Sequence, residues 1–168
     1  MTDEIVNRVA KSALQQIDLD RWMPQEIEIL SLDIKCFLVD EIVFKERDFR
    51  EKVKEFDFSK YDNKYVYITN ISEAIVPLWA YMILSEKLKN AAWAEFDSAQ
   101  GVHNSIIKHI ILNKDLSEFR DKPVIVKGCG KYEFSPGVYM LLTRRLVGIA
   151  KSVMYGEACS SVPVYKSK

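Results

Sequence analysis

One stretch of this chain occurs twice, and that repetition constrains the fold more than any other feature. Asp57-Phe58-Ser59-Lys60-Tyr61-Asp62-Asn63-Lys64-Tyr65-Val66-Tyr67-Ile68 lies over Asp115-Leu116-Ser117-Glu118-Phe119-Arg120-Asp121-Lys122-Pro123-Val124-Ile125-Val126 without a gap, at a spacing of about 58 residues. The same spacing sets Ala80-Tyr81-Met82-Ile83-Leu84-Ser85 on Val138-Tyr139-Met140-Leu141-Leu142-Thr143, Leu88 on Leu146 and Ala92 on Ala150. A register held that far marks a repeated structural unit.

Each copy reads strand, helix, strand. Tyr65 to Thr69 and Val124 to Lys127 are the first strands. Pro77 and Pro136 stand where helices begin, since proline is tolerated in a first helical turn, and Ser135 is positioned as an N-cap. The helices run to about Lys89 and Gly148, and Trp93–Phe96 and Lys151–Met154 are the second strands. A helix from about Ala99 to Leu112 joins the copies. Alternating strands and helices predict an α/β fold: one largely parallel sheet from a duplicated β-α-β unit, with helices on its faces.

Outside the copies, Ile5, Val6, Val9, Ala13 and Leu14 recur at helical spacing, predicting an N-terminal helix over Asp3 to Gln16. Glu26 to Lys35 alternates as a strand, and Ile42-Val43-Phe44 reads as a second, short one. Phe49, Val53 and Phe56 define a helix over Glu46 to Phe56. Val162-Pro163-Val164-Tyr165 fits an edge strand, where proline is permitted. The expected layout is a single α/β domain over 1–168, with an extension over 1–56 carrying a helix and an antiparallel edge, one copy over 57–114 and the other over 115–168.

Composition narrows the setting. The 24 basic residues balance 24 acidic ones, leaving no net field to draw the chain to nucleic acid or an anionic membrane. Met1-Thr2-Asp3-Glu4-Ile5 opens acidic, unlike a signal peptide. Cys36, Cys129 and Cys159 are odd in number and form no CxxC pair, against a disulfide framework or a zinc ribbon. The expectation is a soluble cytoplasmic protein without a membrane or nucleic-acid partner.

In open parallel sheets, ligands bind beyond the carboxyl ends of the strands. That rule selects the loops Asn70 to Val76, Asp97 to Gln100, Gly128 to Ser135 and Gly156 to Pro163. The third carries Cys129 between Gly128 and Gly130, two glycines that free the backbone and expose the sulfur. Lys127 lies two residues before Cys129, where an ammonium would favour thiolate. Cys129 and Cys159 follow the two strands of one copy, so both fall at one sheet edge with Glu157 or Asp97 in reach. Two thiolates and a carboxylate suit zinc or iron.

Other residues read as structural. Cys36 lies among Ile34, Phe37 and Leu38 and is expected to pack. His103 and His109 are six residues apart on one helix and share no face. Arg144 and Arg145 read as a solvated helix face, and Asp97 fits an ordinary N-cap as well as a ligand. No P-loop, Gly-x-Gly-x-x-Gly, His-Glu-x-x-His or Gly-x-Ser-x-Gly occurs, so no acid–base or nucleophile motif marks an enzyme.

Several stretches resemble an uncharacterised bacterial family, domain-of-unknown-function family 2480. They are Glu4-Ile5-Val6-Asn7-Arg8-Val9-Ala10, Lys45-Glu46-Arg47-Asp48-Phe49-Arg50, Pro77-Leu78-Trp79-Ala80-Tyr81-Met82, Val126-Lys127-Gly128-Cys129 and Tyr155-Gly156-Glu157-Ala158-Cys159-Ser160-Ser161-Val162-Pro163. The resemblance implies no activity. It implies company with iron–sulfur cluster assembly systems, and hence iron–sulfur assembly proteins as partners. Two readings follow. One is a cysteine-based accessory factor that binds a metal, a cluster or a sulfur species through Cys129 and Cys159. The other is a non-catalytic interaction module with structural cysteines, prone to homo-oligomerise.

Overall fold

The computed structural model describes residues 14–72, 74–157 and 159–167. Along the chain run β1 (Gln15–Ile17), β2 (Ile29–Asp33), α1 (Glu46–Glu55), β3 (Tyr65–Thr69), α2 (Leu78–Lys87), β4 (Trp93–Phe96), α3 (Ala99–Asn113), β5 (Pro123–Val126), α4 (Pro136–Leu146), β6 (Ser152–Glu157) and β7 (Ser160–Lys166). Contacts gather these elements into two compact units. The first unit is the chain up to Pro24 together with Asn104–Lys168, the second is Gln25–His103, and the boundary falls inside α3.

The single sheet expected from the sequence is therefore two sheets. The first unit holds β1-β5-β6-β7 and the second holds β2-β3-β4. All neighbours are parallel except the β6–β7 pair. The antiparallel edge expected in the N-terminal region lies instead at β7, while β1 and β2 pair in parallel with β5 and β3. Three residues of β1 are too few to carry an alternation, so only the partner strand sets their direction and register. The predicted N-terminal helix lies outside the described residues, except that its end, Gln15 and Gln16, is strand. Ile42 to Phe44 forms no strand; Val43 makes an isolated bridge to Val39 across Asp40 and Glu41, both at positive φ.

Local chemistry explains the elements inside each unit. Before β3, Asp57 accepts a hydrogen bond from the Ser59 N–H at 2.9 Å, a 3-10 turn spans Ser59–Tyr61, and Asn63 takes φ 60°. Before β5, Asp115 accepts from the Ser117 N–H at 2.9 Å, a 3-10 turn spans Ser117–Phe119, and Asp121 takes φ 58°. Asn and Asp are the residues besides glycine that visit this left-handed region routinely. Pro136 opens α4, and Val138, Leu142 and Leu146 line its buried face. Arg145 is not the solvated cation expected: its guanidinium donates to the carbonyls of Ile111, Leu112 and Lys114, closing the end of α3. Helices leave such carbonyls unpaired, and an arginine there meets both the need and the dipole.

In the second unit, Leu32, Val66 and Ile68 join Phe49 and Val53 of α1 and Ala80, Leu84 and Leu88 around α2 in one core. The outer face of α1 is laced by Arg47–Glu51 and Arg50–Glu46 pairs four residues apart. Among the described residues, no helix is long and apolar enough to cross a membrane.

Candidate functional site

Parallel pairing of β1 with β5 sets Asp18 beside Lys127, just past the carboxyl ends of both strands. Their side chains meet at 3.2 Å, and this hydrogen bond, with the Asp18 charge, raises the Lys127 pKa. The Lys127 ammonium is thus paired with Asp18, and the charges of Glu157 and then Cys129 add smaller contributions to the same rise. Asp20 reaches across to the next loop, where its carboxylate accepts from the backbone N–H groups of Lys131 and Tyr132. Tyr155 of β6 donates its hydroxyl to the Gly128 carbonyl at 3.3 Å. The segment from Gly128 to Tyr132 is thus fastened from both sides.

The glycines serve that fastening, not unusual backbone angles, since neither Gly128 nor Gly130 has positive φ. A Cβ on Gly128 would lie 2.7 Å from the Tyr155 ring, and one on Gly130 would run into the Asp20 carboxylate. Between them Cys129 is exposed, with Sγ 3.4 Å from Glu157 Oε1 at the end of β6. In this contact the thiol donates and the carboxylate accepts. Beyond Glu157 the chain turns back into β7 through a tight hairpin that pairs Glu157 with Ser160. Gly156 (φ 119°) permits it: a side chain there would meet the Ser160 carbonyl at 2.6 Å. Cys159 is exposed on this turn.

The proposed ligands do not all come together. Cys129 meets Glu157, while Asp97 belongs to the second unit, where it accepts from the Ser98 N–H at 2.7 Å beside the start of α3. Gly101 leaves room for that carboxylate. Among the described residues, no group of three or more His, Cys, Asp or Glu side chains is placed to hold a metal ion. His103 is half-buried and His109 exposed on α3. Cys36 is an exposed residue rather than a packed one. Its Sγ donates to the Asp33 carbonyl at 3.0 Å, and partial burial of the sulfur, then the Asp33 charge, push its pKa up.

Beside Cys129 opens a cleft of about 350 Å³ walled by Tyr132, Glu133, Phe134, Tyr139 and Tyr155. Tyr132 and Phe134 stack with centroids 5.8 Å apart, and Tyr139 meets Tyr155 edge to face at 5.6 Å. Burial raises the Tyr139 pKa, and nearby Tyr155, Asp20 and Cys129 add to that rise. Sequence reasoning found Cys129 and Glu157 but not Asp18, Asp20 or the aromatic wall. The only signal in the sequence was the alternation Tyr132-x-Phe134 after the glycines. Asp20 lies far back in the chain and is brought in by β1.

A family model described as "Protein of unknown function (DUF2480)" matches residues 3–167. The chain belongs to that family. No curated protein and no solved structure matches it. The stretches Val126–Cys129 and Tyr155–Pro163, which carried the resemblance, form the two rims of the Cys129–Glu157 site in this DUF2480 protein.

Proposed function

We propose that this protein is a thiol-based accessory factor whose working group is Cys129, presented at the carboxyl edge of the first unit. The observation that carries this reading is the fastened loop: Asp20 and Tyr155 hold both ends of the segment that sets an exposed thiol against the Glu157 carboxylate. A solvated cysteine with no role needs no such support. Glu157 is placed to take the thiol proton when Cys129 binds a soft metal or attacks an electrophile. Zinc or iron would find two donors here, Cys129 and Glu157, and would draw the others from Cys159 on the hairpin turn or from a partner. An iron–sulfur assembly partner is the version of this reading that rests on the family resemblance alone. A cytoplasmic setting accords with three free cysteines.

Internal duplication is part of the same proposal. It is supported by the turns before β3 and β5, which match bond for bond, and by the shared order of turn, strand, helix and strand. One copy then kept the scaffold while the other acquired the thiol site.

Alkylation footprinting tests the reading. Asp20→Ala and Glu157→Gln are each expected to change the iodoacetamide rate at Cys129 several-fold and to leave Cys36 and Cys159 unchanged, with cadmium protecting Cys129 in the wild type. The proposal fails if Cys129 behaves like Cys159 in every sample. Elemental analysis of protein purified without oxygen or chelator, beside Cys129→Ser, then separates metal chemistry from thiol chemistry.

An interaction module is the second reading. One observation favours it: Leu78 and Met82 sit one turn apart on α2, 82% and 71% exposed, an apolar stripe of the kind that marks contact surfaces.

A further inference from the structure

We infer that a second cavity of the first unit binds a single-chain amphiphile with a carboxylate head, a fatty acid of medium length. This goes beyond the thiol reading and does not depend on it. The cavity measures about 500 Å³, inside the usual range for ligand pockets. It lies between α4 and the strands β6 and β7, and every described residue lining it belongs to the first unit. Val126, Met140, Val153, Met154 and Val164 give it an apolar wall. Its mouth is open, with Met140 72% and Val164 51% exposed. The β7 side is shaped by a bulge: Met154 pairs with Pro163 but Val153 with Tyr165, so Val164 is an extra residue in the ladder. Bulges re-aim side chains and are common beside active sites.

Charge selects the head group. Among the described residues lining the cavity, Arg144 is the one charged side chain, and no carboxylate stands with it. Its neighbour Arg145 is engaged with the carbonyls at the end of α3, whereas Arg144 has no hydrogen bond or ion pair among the described residues. An arginine lays its methylene stem along an apolar wall and keeps its guanidinium at the wet rim. There its planar fork of donors matches a carboxylate through two parallel hydrogen bonds. An ammonium head would be repelled. Tyr139 and Tyr155, in contact at 5.6 Å, mark the other end of the cavity. Tyr139 precedes Arg144 by five residues of α4, or about 7 Å along the helix axis. The carboxylate therefore sits at Arg144 and the alkyl chain runs toward the two tyrosines.

The test is a nuclear magnetic resonance titration of the full chain with octanoate, octan-1-ol and octylammonium. The methyl signals of Met140 and Val164 and the ring signals of Tyr139 and Tyr155 are expected to move with octanoate. Shortening the chain to hexanoate should weaken binding about fourfold for each methylene removed. Octylammonium should bind at least about tenfold more weakly than octanoate, the scale of a hydrogen bond to a charged group. Arg144→Gln should remove that preference and leave octan-1-ol binding unchanged. Thr143→Phe, which fills the cavity, should abolish binding of all three while the chain still unfolds cooperatively. Equal binding of the three head groups, octanoate binding that survives Arg144→Gln undiminished, or no movement at tens of millimolar octanoate overturns the inference. So does a dimer that Met140→Glu dissociates and octanoate does not, since a second copy would then cover the mouth. None of these variants touches Cys129, so its alkylation test stands on its own.

Discussion

Each unit holds two parallel strands joined through a helix, β3 and β4 in one and β5 and β6 in the other, with different chemistry past the strand ends. By the 58-residue spacing, Ile71 stands where Cys129 does, and Thr69 where Lys127 does. Phe96 meets Tyr81 edge to face at 5.2 Å, as Tyr155 meets Tyr139 at 5.6 Å. The loops then diverge. After β3 the chain satisfies itself, with Asn70 donating to the Ala74 carbonyl and Ser72 to Asn70. After β5 it is held from outside, by Asp20 and Tyr155. One edge exposes Ile71, Ile75 and Leu78; the other exposes a thiol, carboxylates and an aromatic cleft. Strand and helix positions answer to packing, whereas residues past the strand ends are free to change, which is why function collects there.

Mutations in the buried core of either unit should have the largest effects. Phe49→Ala, fully buried against Phe37, Phe44 and Trp79, is expected to cost ~3–5 kcal/mol in urea unfolding. Leu142→Ala in the first unit should cost ~2–5 kcal/mol. Hydrogen exchange should show each loss centred in its own unit, and a loss spread evenly over both would count against treating the units separately.

Changes at the edges should be smaller and should differ between units. Gly128→Val sets a side chain against the Tyr155 ring and is expected to cost ~1–3 kcal/mol, in the manner of overpacking. Its counterpart Asn70→Val loses the hydrogen bonds within its own loop, about 1 kcal/mol. Only the first should alter the alkylation of Cys129. Asp20→Ala removes the acceptor for two backbone N–H groups that water can reach, about 1 kcal/mol, yet it should disturb the Cys129 loop as much as Gly128→Val does. If it leaves the loop signals unmoved, the contrast between an externally fastened loop and a self-satisfied one collapses.

The smallest effect is one of pH, and there the units should agree. Hydrogen bonds from Ser59 hold the Asp57 pKa below its usual 3.8, and those from Ser117 do the same for Asp115. Folded values below the unfolded ones mean that this stability is complete above the unfolded pKa and is lost as pH falls through the folded one. The urea midpoint should therefore drop on acidification from about 4 downward, and Asp57→Asn and Asp115→Asn should each flatten that slope to a similar degree.

Most strands and helices past residue 45 were legible because they are periodic and bounded by turn residues. Tyr65–Thr69, Trp93–Phe96 and Glu46–Glu55 form as expected, each carrying its pattern within itself. The site was legible in part. Gly128-Cys129-Gly130 and Glu157 stand out along the chain, the first just past β5 and the second closing β6. Asp18 and Asp20 did not stand out, because a short acidic stretch before a tryptophan looks like any turn. The ion pair of Lys127 did not stand out for the same reason: its partner, Asp18, follows a strand of three residues.

What the sequence determined alone is most of the local elements past residue 45, since hydrophobic period and turn residues act between neighbours. Which strands share a sheet was decided only in three dimensions. β1 could as well have extended the sheet of β3 as that of β5, and hydrogen bonding between parallel strands leaves no mark on either sequence beyond their apolar faces. That pairing carries Asp18 and Asp20 to the Cys129 loop, splits the elements into two units, and leaves Asp97 in the other one. A cysteine flanked by glycines becomes a built site through contacts with residues more than a hundred positions away.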